Sequence, residues 1–152
     1  MHRILFVCHG NICRSTMAEF VLKDMVQRRG EADRFVIASA ATSTEEIGNP
    51  VHPGTQRALR ERGIGGFEKK RARQLRRDDY DQYDLLIGMD EANIRNMTRM
   101  LGGDPEGKVH LLLEFAGETS AIADPWYTGD FEATYRDVAA GCEGLLRELE
   151  ER

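Results

Sequence analysis

Cysteine is scarce in this chain, three among 152 residues, too few and too oddly numbered for the disulfide framework of a small secreted protein. Their placement contains no paired CxxC pattern, so a cysteine zinc site is not expected either, and the three read as thiols. Long apolar runs are also missing. Ile4-Leu5-Phe6-Val7 is broken at once by Cys8 and His9, far short of a membrane span or a signal-peptide core. Positive charge is in deficit: 21 Lys and Arg stand against 26 Asp and Glu, a net charge of -5, which argues against a nucleic-acid partner. The local basic cluster of Lys69, Lys70, Arg71, Arg73, Arg76 and Arg77 reads as a solvated surface or, less simply, as a docking patch. Neither repeats nor low-complexity segments occur. These absences describe a cytoplasmic protein without a nucleic-acid or membrane partner, expected as a monomer or weak dimer.

What remains is ordinary globular composition, 41% apolar and 31% charged, in a chain of a size that buries about 68–70% of its unfolded surface as one domain over residues 1–152. The run Ile4 to Val7 suits a strand buried on both faces of a parallel sheet. Ala18, Val21, Leu22 and Met25 then recur at three- and four-residue spacing and predict a helix over 16–29, closed by Gly30. Phe35-Val36-Ile37-Ala38 predicts a second strand, followed by a polar loop through Asn49-Pro50 and a helix over 54–62 ended by Gly63. Leu85 to Met89 predicts a third strand, Asp90 an N-cap for a helix reaching Met100, and Val109 to Leu112 a fourth strand. Asp130 caps a last helix whose apolar face is Tyr135, Val138, Cys142, Leu145, Leu146 and Leu149. Alternation of this kind predicts an α/β fold: a four-stranded parallel sheet with helices on both faces and ligands at the carboxyl ends of the strands.

At the carboxyl end of the first predicted strand lies Cys8-His9-Gly10-Asn11-Ile12-Cys13-Arg14-Ser15, a cysteine and an arginine six positions apart ahead of a helix. Such a loop can curl until its N–H groups converge on one point, where the helix dipole and Arg14 also favour an anion. Gly10 and Asn11 are residue types that tolerate the positive φ of that curl. Arg14 presents a planar fork to two phosphoryl oxygens. Its charge and the helix N-terminus favour the thiolate of Cys8, because both make a thiol more acidic. A thiolate facing a bound phosphoryl group is a nucleophile, and Ser15 can donate its hydroxyl to the sulfur. A Walker loop is excluded, since no Gly-Lys-Ser/Thr follows.

A leaving alkoxide or phenoxide needs a proton, and Asp124-Pro125-Trp126-Tyr127 supplies a carboxylic acid after the fourth strand, with Pro125 holding Asp124 extended. Trp126 and Tyr127 either wall a slot for a planar ring or anchor the loop to the core.

With these residues assembled, the chain resembles the low-molecular-weight protein tyrosine phosphatase family over nearly its whole length. The likeness runs through residues 7–15, Ser39-Ala40-Ala41-Thr42, Gly48-Asn49-Pro50, Ala72-Arg73-Gln74, Met89-Asp90-Glu91 and Asp124-Pro125. The resemblance implies Cys8 as nucleophile, Arg14 as phosphate ligand and Asp124 as general acid, no metal or cofactor, and phosphotyrosyl proteins as substrates. The loop residues His9, Gly10, Asn11, Ile12, Cys13 and Ser15 would hold the phosphate. Asn11, Ser15 and Ser39 match positions of a supporting hydrogen-bond network, whose usual histidine is replaced by Lys70. Thr16 stands in place of a frequent proline, and Glu45 where many members carry an aromatic on the substrate ring, so that the pocket is expected to comprise Glu45, Trp126 and Tyr127. A carboxylate there repels acidic peptides or selects basic ones. Cys13 matches a second loop cysteine able to form a reversible disulfide with the nucleophile, and reads otherwise as a small buried residue.

Relatives of this fold also reduce arsenate or dephosphorylate phosphoarginine, and a non-catalytic phosphate-binding regulator is a further alternative. The arsenate reductases use extra cysteines in mid-chain, whereas here the only cysteine beyond the loop is Cys142. The phosphoarginine branch carries threonine where this chain has Ile12, and an apolar residue there suits an aromatic ring.

Overall fold

The structure, a computed structural model, describes residues 1–150. Its order is β1 (His2–Cys8), α1 (Arg14–Arg28), β2 (Phe35–Ala41), α2 (Pro53–Arg60), α3 (Asp79–Gln82), β3 (Leu85–Gly88), α4 (Glu91–Leu101), β4 (Val109–Leu111), α5 (Pro125–Thr128) and α6 (Phe131–Glu150), with short 3-10 turns at Ala32–Arg34 and Leu112–Ala116. The strands form one parallel sheet in the order β2-β1-β3-β4, as the alternation of strand and helix predicts. None of the helices among the described residues is long and apolar enough to cross a membrane.

The continuous apolar run of β1 is explained by the two cores it separates. Ile4, Phe6 and Cys8 face a core shared with α1, α2 and α6, while Leu5 and Val7 face a second core with Tyr80 of α3 and Met97 and Leu101 of α4. Both faces are dry, so the period-two alternation of a half-exposed strand is absent. In α6 the predicted apolar face is buried from Val138 to Leu149 with Tyr135 half-buried at its start, and Asp130 caps the helix by accepting the Ala133 N–H at 2.9 Å. Gly141 and Gly144 interrupt that face because the 3-10 turn after β4 lies against it. A Cβ at Gly144 would meet the Phe115 carbonyl oxygen at 2.0 Å, and one at Gly141 would meet Leu112 Cγ at 2.5 Å. This contact seats the turn Leu112–Ala116 on α6.

Several boundaries differ from expectation. Helix α1 begins at Arg14 rather than Thr16, and Thr16 does not cap it: its hydroxyl donates back to the Cys13 carbonyl at 3.0 Å. Strand β2 continues three residues past Ala38, in register with β1 as far as Cys8 opposite Ala41. Its small residues Ser39, Ala40 and Ala41 lack the bulky β-branched signature of a strand. Helix α2 starts at Pro53 and ends at Arg60, with Gly63 at φ 71° in the turn beyond. Strand β4 ends at Leu111, one residue early. Asp90 caps α4 as expected, in a reciprocal capping box with Asn93.

Ahead of β4, Asp104 accepts the Tyr80 hydroxyl at 2.7 Å and the backbone N–H groups of Lys108 and Val109 at 2.7 and 3.2 Å. Burial works against its charge, but these bonds outweigh it and hold the carboxyl below its ordinary value. A depressed folded-state value gives stability that is present above the ordinary carboxylate range and is lost as pH falls through the folded value. Asp104→Asn is therefore expected to cost about 1 kcal/mol near neutrality and progressively less below about pH 4. Urea titrations of both proteins across that range test this; a difference independent of pH would refute it.

Candidate active site

The carboxyl ends of β1, β3 and β4 bring three segments together. From β1 comes the loop 8–15, its curl made by Asn11 alone in the left-handed region at φ 60°. Gly10, expected to share that role, is not left-handed; a Cβ there would touch Glu46 Cγ at 3.4 Å. The carbonyls of Cys8, His9, Ile12 and Cys13 accept from the backbone N–H groups of Thr42, Ser43, His52 and Met17 at 2.9–3.1 Å. With its carbonyls engaged by neighbouring elements, the loop keeps its amides as donors for an anion.

Asn11, 1% exposed, explains its own strained backbone. Its Nδ2 donates to Ser15 Oγ at 2.8 Å and to Ser39 Oγ at 2.9 Å, and its Oδ1 accepts from the Arg73 N–H at 3.2 Å. Each serine oxygen that accepts from this amide keeps its own hydroxyl proton to donate. That of Ser39 goes to Glu19 Oε1 at 2.5 Å, and Ser15 Oγ lies 3.0 Å from Cys8 Sγ, placed to donate to a thiolate there. A hydroxyl proton aimed at sulfur stabilises a thiolate.

Lys70, where the resemblance leads one to expect histidine, still joins this network through a different atom. Its Nζ donates to the Ser39 carbonyl at 2.8 Å and lies 3.7 Å from Glu19 Oε1. Burial lowers its pKa, with Glu19 opposing. Glu19 is a site residue that the sequence reading missed: it lies on the buried face of α1, bonded also to Lys23 at 2.6 Å, and only an acid in an apolar stripe betrays it.

Arg14 is 3% exposed. Its Nη1 donates to Asp90 Oδ2 at 2.7 Å and to the Ile122 carbonyl at 2.9 Å, and its Nη2 reaches Asp124 Oδ2 at 3.5 Å. Nε is buried without a protein partner, leaving a fork edge for an anion. Burial works against the guanidinium charge, but the negative charge at Cys8 and the bond to Asp90 raise its pKa. Asp90 has a second role that helix capping concealed, since Oδ1 caps α4 while Oδ2 orients Arg14. Its place immediately after β3 was the available clue.

Asp124 is extended at φ -81°, ψ 114° before Pro125, as the Asp-Pro pair implies, and its Oδ1 accepts the Trp126 N–H at 3.1 Å. Cys8, Arg14 and Asp124 line one pocket with His9, Gly10, Ile12, Cys13, Glu45, Trp126 and Tyr127, and also Glu46, which the sequence reading did not single out. Trp126 and Tyr127 are 58% and 83% exposed; they wall the pocket and do not anchor the loop in the core. Glu45 bonds the His9 ring at 2.8 Å, and Glu46 accepts from Asn49 Nδ2 at 2.6 Å. Burial, then the charges at Cys8 and Asp124, push the Cys13 thiol up to about 12. Cys142 is fully buried, as expected of a core residue, and its thiol is raised by burial.

A family model described as low molecular weight phosphotyrosine protein phosphatase matches residues 3–152. The low molecular weight protein-tyrosine-phosphatase YfkJ of Bacillus subtilis is 38% identical over 152 residues, 99% of this chain and 97% of that protein. Its crystal structure superposes with a TM-score of 0.93, covering 99% of this chain and 96% of that one. SP-PTP, a low molecular weight protein tyrosine phosphatase of Streptococcus pyogenes, is 41% identical with a TM-score of 0.89, covering 98% and 93%. The drosophila arginine phosphatase DARP is also similar, 28% identical with a TM-score of 0.87 over 96% of each chain.

Proposed function

Because this chain belongs to the low molecular weight phosphotyrosine protein phosphatase family, we propose that it hydrolyses phosphotyrosine and small aryl phosphates through a cysteinyl-phosphate at Cys8. The thiolate of Cys8 attacks phosphorus, the bond to the phenolic oxygen breaks, and Asp124 gives that oxygen its proton. Arg14 and the loop amides hold the equatorial oxygens as charge shifts. Water then attacks the phosphorus of the intermediate, Asp124 takes its proton, and Cys8 leaves as a thiolate supported by Ser15. Cys13, protonated at neutral pH, does not compete as nucleophile, and its family position supports a role as reversible disulfide partner of Cys8. The free thiols of Cys8, Cys13 and Cys142, set without a disulfide pattern, support a cytoplasmic setting.

One observation carries this reading. Arg14 Nη2 meets Asp124 Oδ2 at 3.5 Å, joining residues 110 apart in sequence at the pocket that contains Cys8. Asp124→Asn removes the proton donor and is expected to lower kcat/KM on phenyl phosphate by about 10²–10³-fold and to flatten the acid-dependent limb of the pH profile. Unchanged profiles would remove Asp124 from the mechanism.

An aryl substrate is favoured over phosphoarginine by apolar Ile12 and by Trp126 and Tyr127 at the mouth, whereas the fold alone, shared with an arginine phosphatase, does not choose. Glu45 and Glu46 make the rim acidic. A phosphotyrosyl peptide flanked by lysine is expected to be turned over about fivefold better than one flanked by glutamate, with the preference reversed in Glu45→Lys and weakened by salt. Equal turnover of the two peptides by the wild type would exclude charge selection at this rim.

A further inference from the structure

His52 lies outside the pocket, yet it contacts both the phosphate-binding loop and the segment that carries Asp124. Its backbone N–H donates to the Ile12 carbonyl of the phosphate-binding loop at 2.9 Å. Its Nδ1 accepts the Gly54 N–H at 3.0 Å, making it the N-cap of α2. That bond uses the lone pair of Nδ1. One side of the ring stacks on Phe131 at the start of α6, with centroids 5.1 Å apart, and Trp126 meets it edge-on at 5.8 Å. Trp126 in turn donates its backbone N–H to Asp124 Oδ1. Gly54 is part of the same construction, because a Cβ there would lie 2.4 Å from the Phe131 ring.

We infer that His52 is a positioning residue for the general acid, its ring bracing Trp126 so that Asp124 is held at a fixed place relative to the phosphate-binding loop. The inference rests on the proposed phosphatase reading and adds to it a residue that never meets substrate. Among the described residues the Asp124 side chain has two hydrogen-bond partners, Arg14 Nη2 at 3.5 Å and the Trp126 N–H at 3.1 Å. The base of the acid loop is pinned where Ile122 donates to the Met89 carbonyl at 2.9 Å. Beyond Pro125 the exposed tryptophan has His52 as its ring partner among the described residues. An edge-to-face pair of this kind favours one position of the tryptophan ring, and of the loop that carries it, over others.

The ring and the cap are separable. His52→Asn keeps an acceptor for the Gly54 N–H and removes the ring; His52→Phe keeps a ring and removes the acceptor. Phenyl phosphate, with a poor leaving group, depends on the acid far more than 4-nitrophenyl phosphate does. Misplacing the acid is expected to lower kcat/KM of His52→Asn about tenfold on phenyl phosphate and less than about twofold on 4-nitrophenyl phosphate. His52→Phe is expected to keep the wild-type ratio between the two esters while losing thermal stability. Trp126 is the only tryptophan, so its fluorescence anisotropy gives a second reading, lower in His52→Asn and unchanged in His52→Phe. Should His52→Asn fail to fold, Phe131→Leu removes the buttress behind the ring, keeps the cap, and is expected to shift the ratio in the same direction.

An unchanged ratio in the folded ring-less variant, an equal fall on both esters, or the same shift in His52→Phe would each overturn the inference. The functional reading is tested apart from it by Cys8→Ser. Wild-type hydrolysis that survives that substitution overturns the mechanism and the inference together, whereas Cys8-dependent hydrolysis with no response to His52 overturns the inference alone.

Discussion

Cys8→Ser is expected to abolish hydrolysis of aryl phosphates, by roughly 10⁴-fold or more in kcat, while leaving phosphate bound in the loop. The reason is geometric as well as chemical. Cys8 is nearly enclosed at the end of β1, with Ser15 Oγ 3.0 Å from its sulfur and the carbonyls around it engaged by neighbouring backbone. The loop's amides and Arg14 do not depend on the sulfur, so an anion should still bind when the nucleophile is gone. A serine hydroxyl at the same place has no comparable route to an anion, because its proton is far less acidic than a thiol's. Turnover is followed by release of phenol, and binding by competition between inorganic phosphate and a coloured oxyanion. Activity within about tenfold of wild type would exclude Cys8 as nucleophile.

Arg14→Lys is expected to lower kcat/KM by about 10²–10³-fold despite preserving the charge. The guanidinium serves Asp90, the Ile122 carbonyl and Asp124 at once and still presents Nε toward an anion. An ammonium has three donors on one atom and cannot span those directions. If it keeps Asp90 it gives up the fork on the phosphoryl oxygens, and if it turns to phosphate it leaves a part-buried carboxylate and a buried carbonyl unpaired, at about 1–3 kcal/mol. The kinetic and structural effects are separable by measuring thermal unfolding beside kcat/KM on the same preparation. A lysine variant as active as wild type would show that charge alone suffices and that the fork has no part in the transition state.

Much of this site was legible before any coordinates, because its chemistry sits at a place the fold makes recognisable: a buried apolar strand, then a curl, then a helix. Cys8, Arg14, Ser15 and Asp124 could be read from residue type, spacing and their places after strands. The end of β2 was less legible, since Ser39, Ala40 and Ala41 are chosen for close approach to the loop rather than for strand propensity. Three contributors were hidden for a common reason, that one side chain does two jobs or a job without a motif. Asp90 looks like a helix cap and is one, yet its second oxygen aims Arg14. Glu19 looks like a helix-surface acid and is buried beneath Ser39. His52 caps α2 in a position where serine, threonine, aspartate or asparagine is usual, and its contacts with Trp126 and Phe131 are long-range ones that no local pattern encodes.

Lys70 shows the reverse case, in which a departure visible in the sequence is absorbed by the structure. A histidine would offer ring nitrogens to the serine; the lysine reaches past its hydroxyl to the Ser39 carbonyl and approaches Glu19. The chain of bonds from Glu19 through Ser39, Asn11 and Ser15 to Cys8 survives, because the Glu19 carboxylate accepts at one end and a two-headed amide donor joins the two serines.

The most direct measurement of the account is the covalent state of Cys8 during turnover. Asp124→Asn enzyme mixed with an excess of 4-nitrophenyl phosphate, denatured within the first turnovers and digested, is predicted to carry one phosphoryl group on the peptide containing Cys8, with a burst of nitrophenol equal to the enzyme present. Phosphate on another residue, or steady hydrolysis with no burst and an unmodified Cys8 peptide, would contradict it.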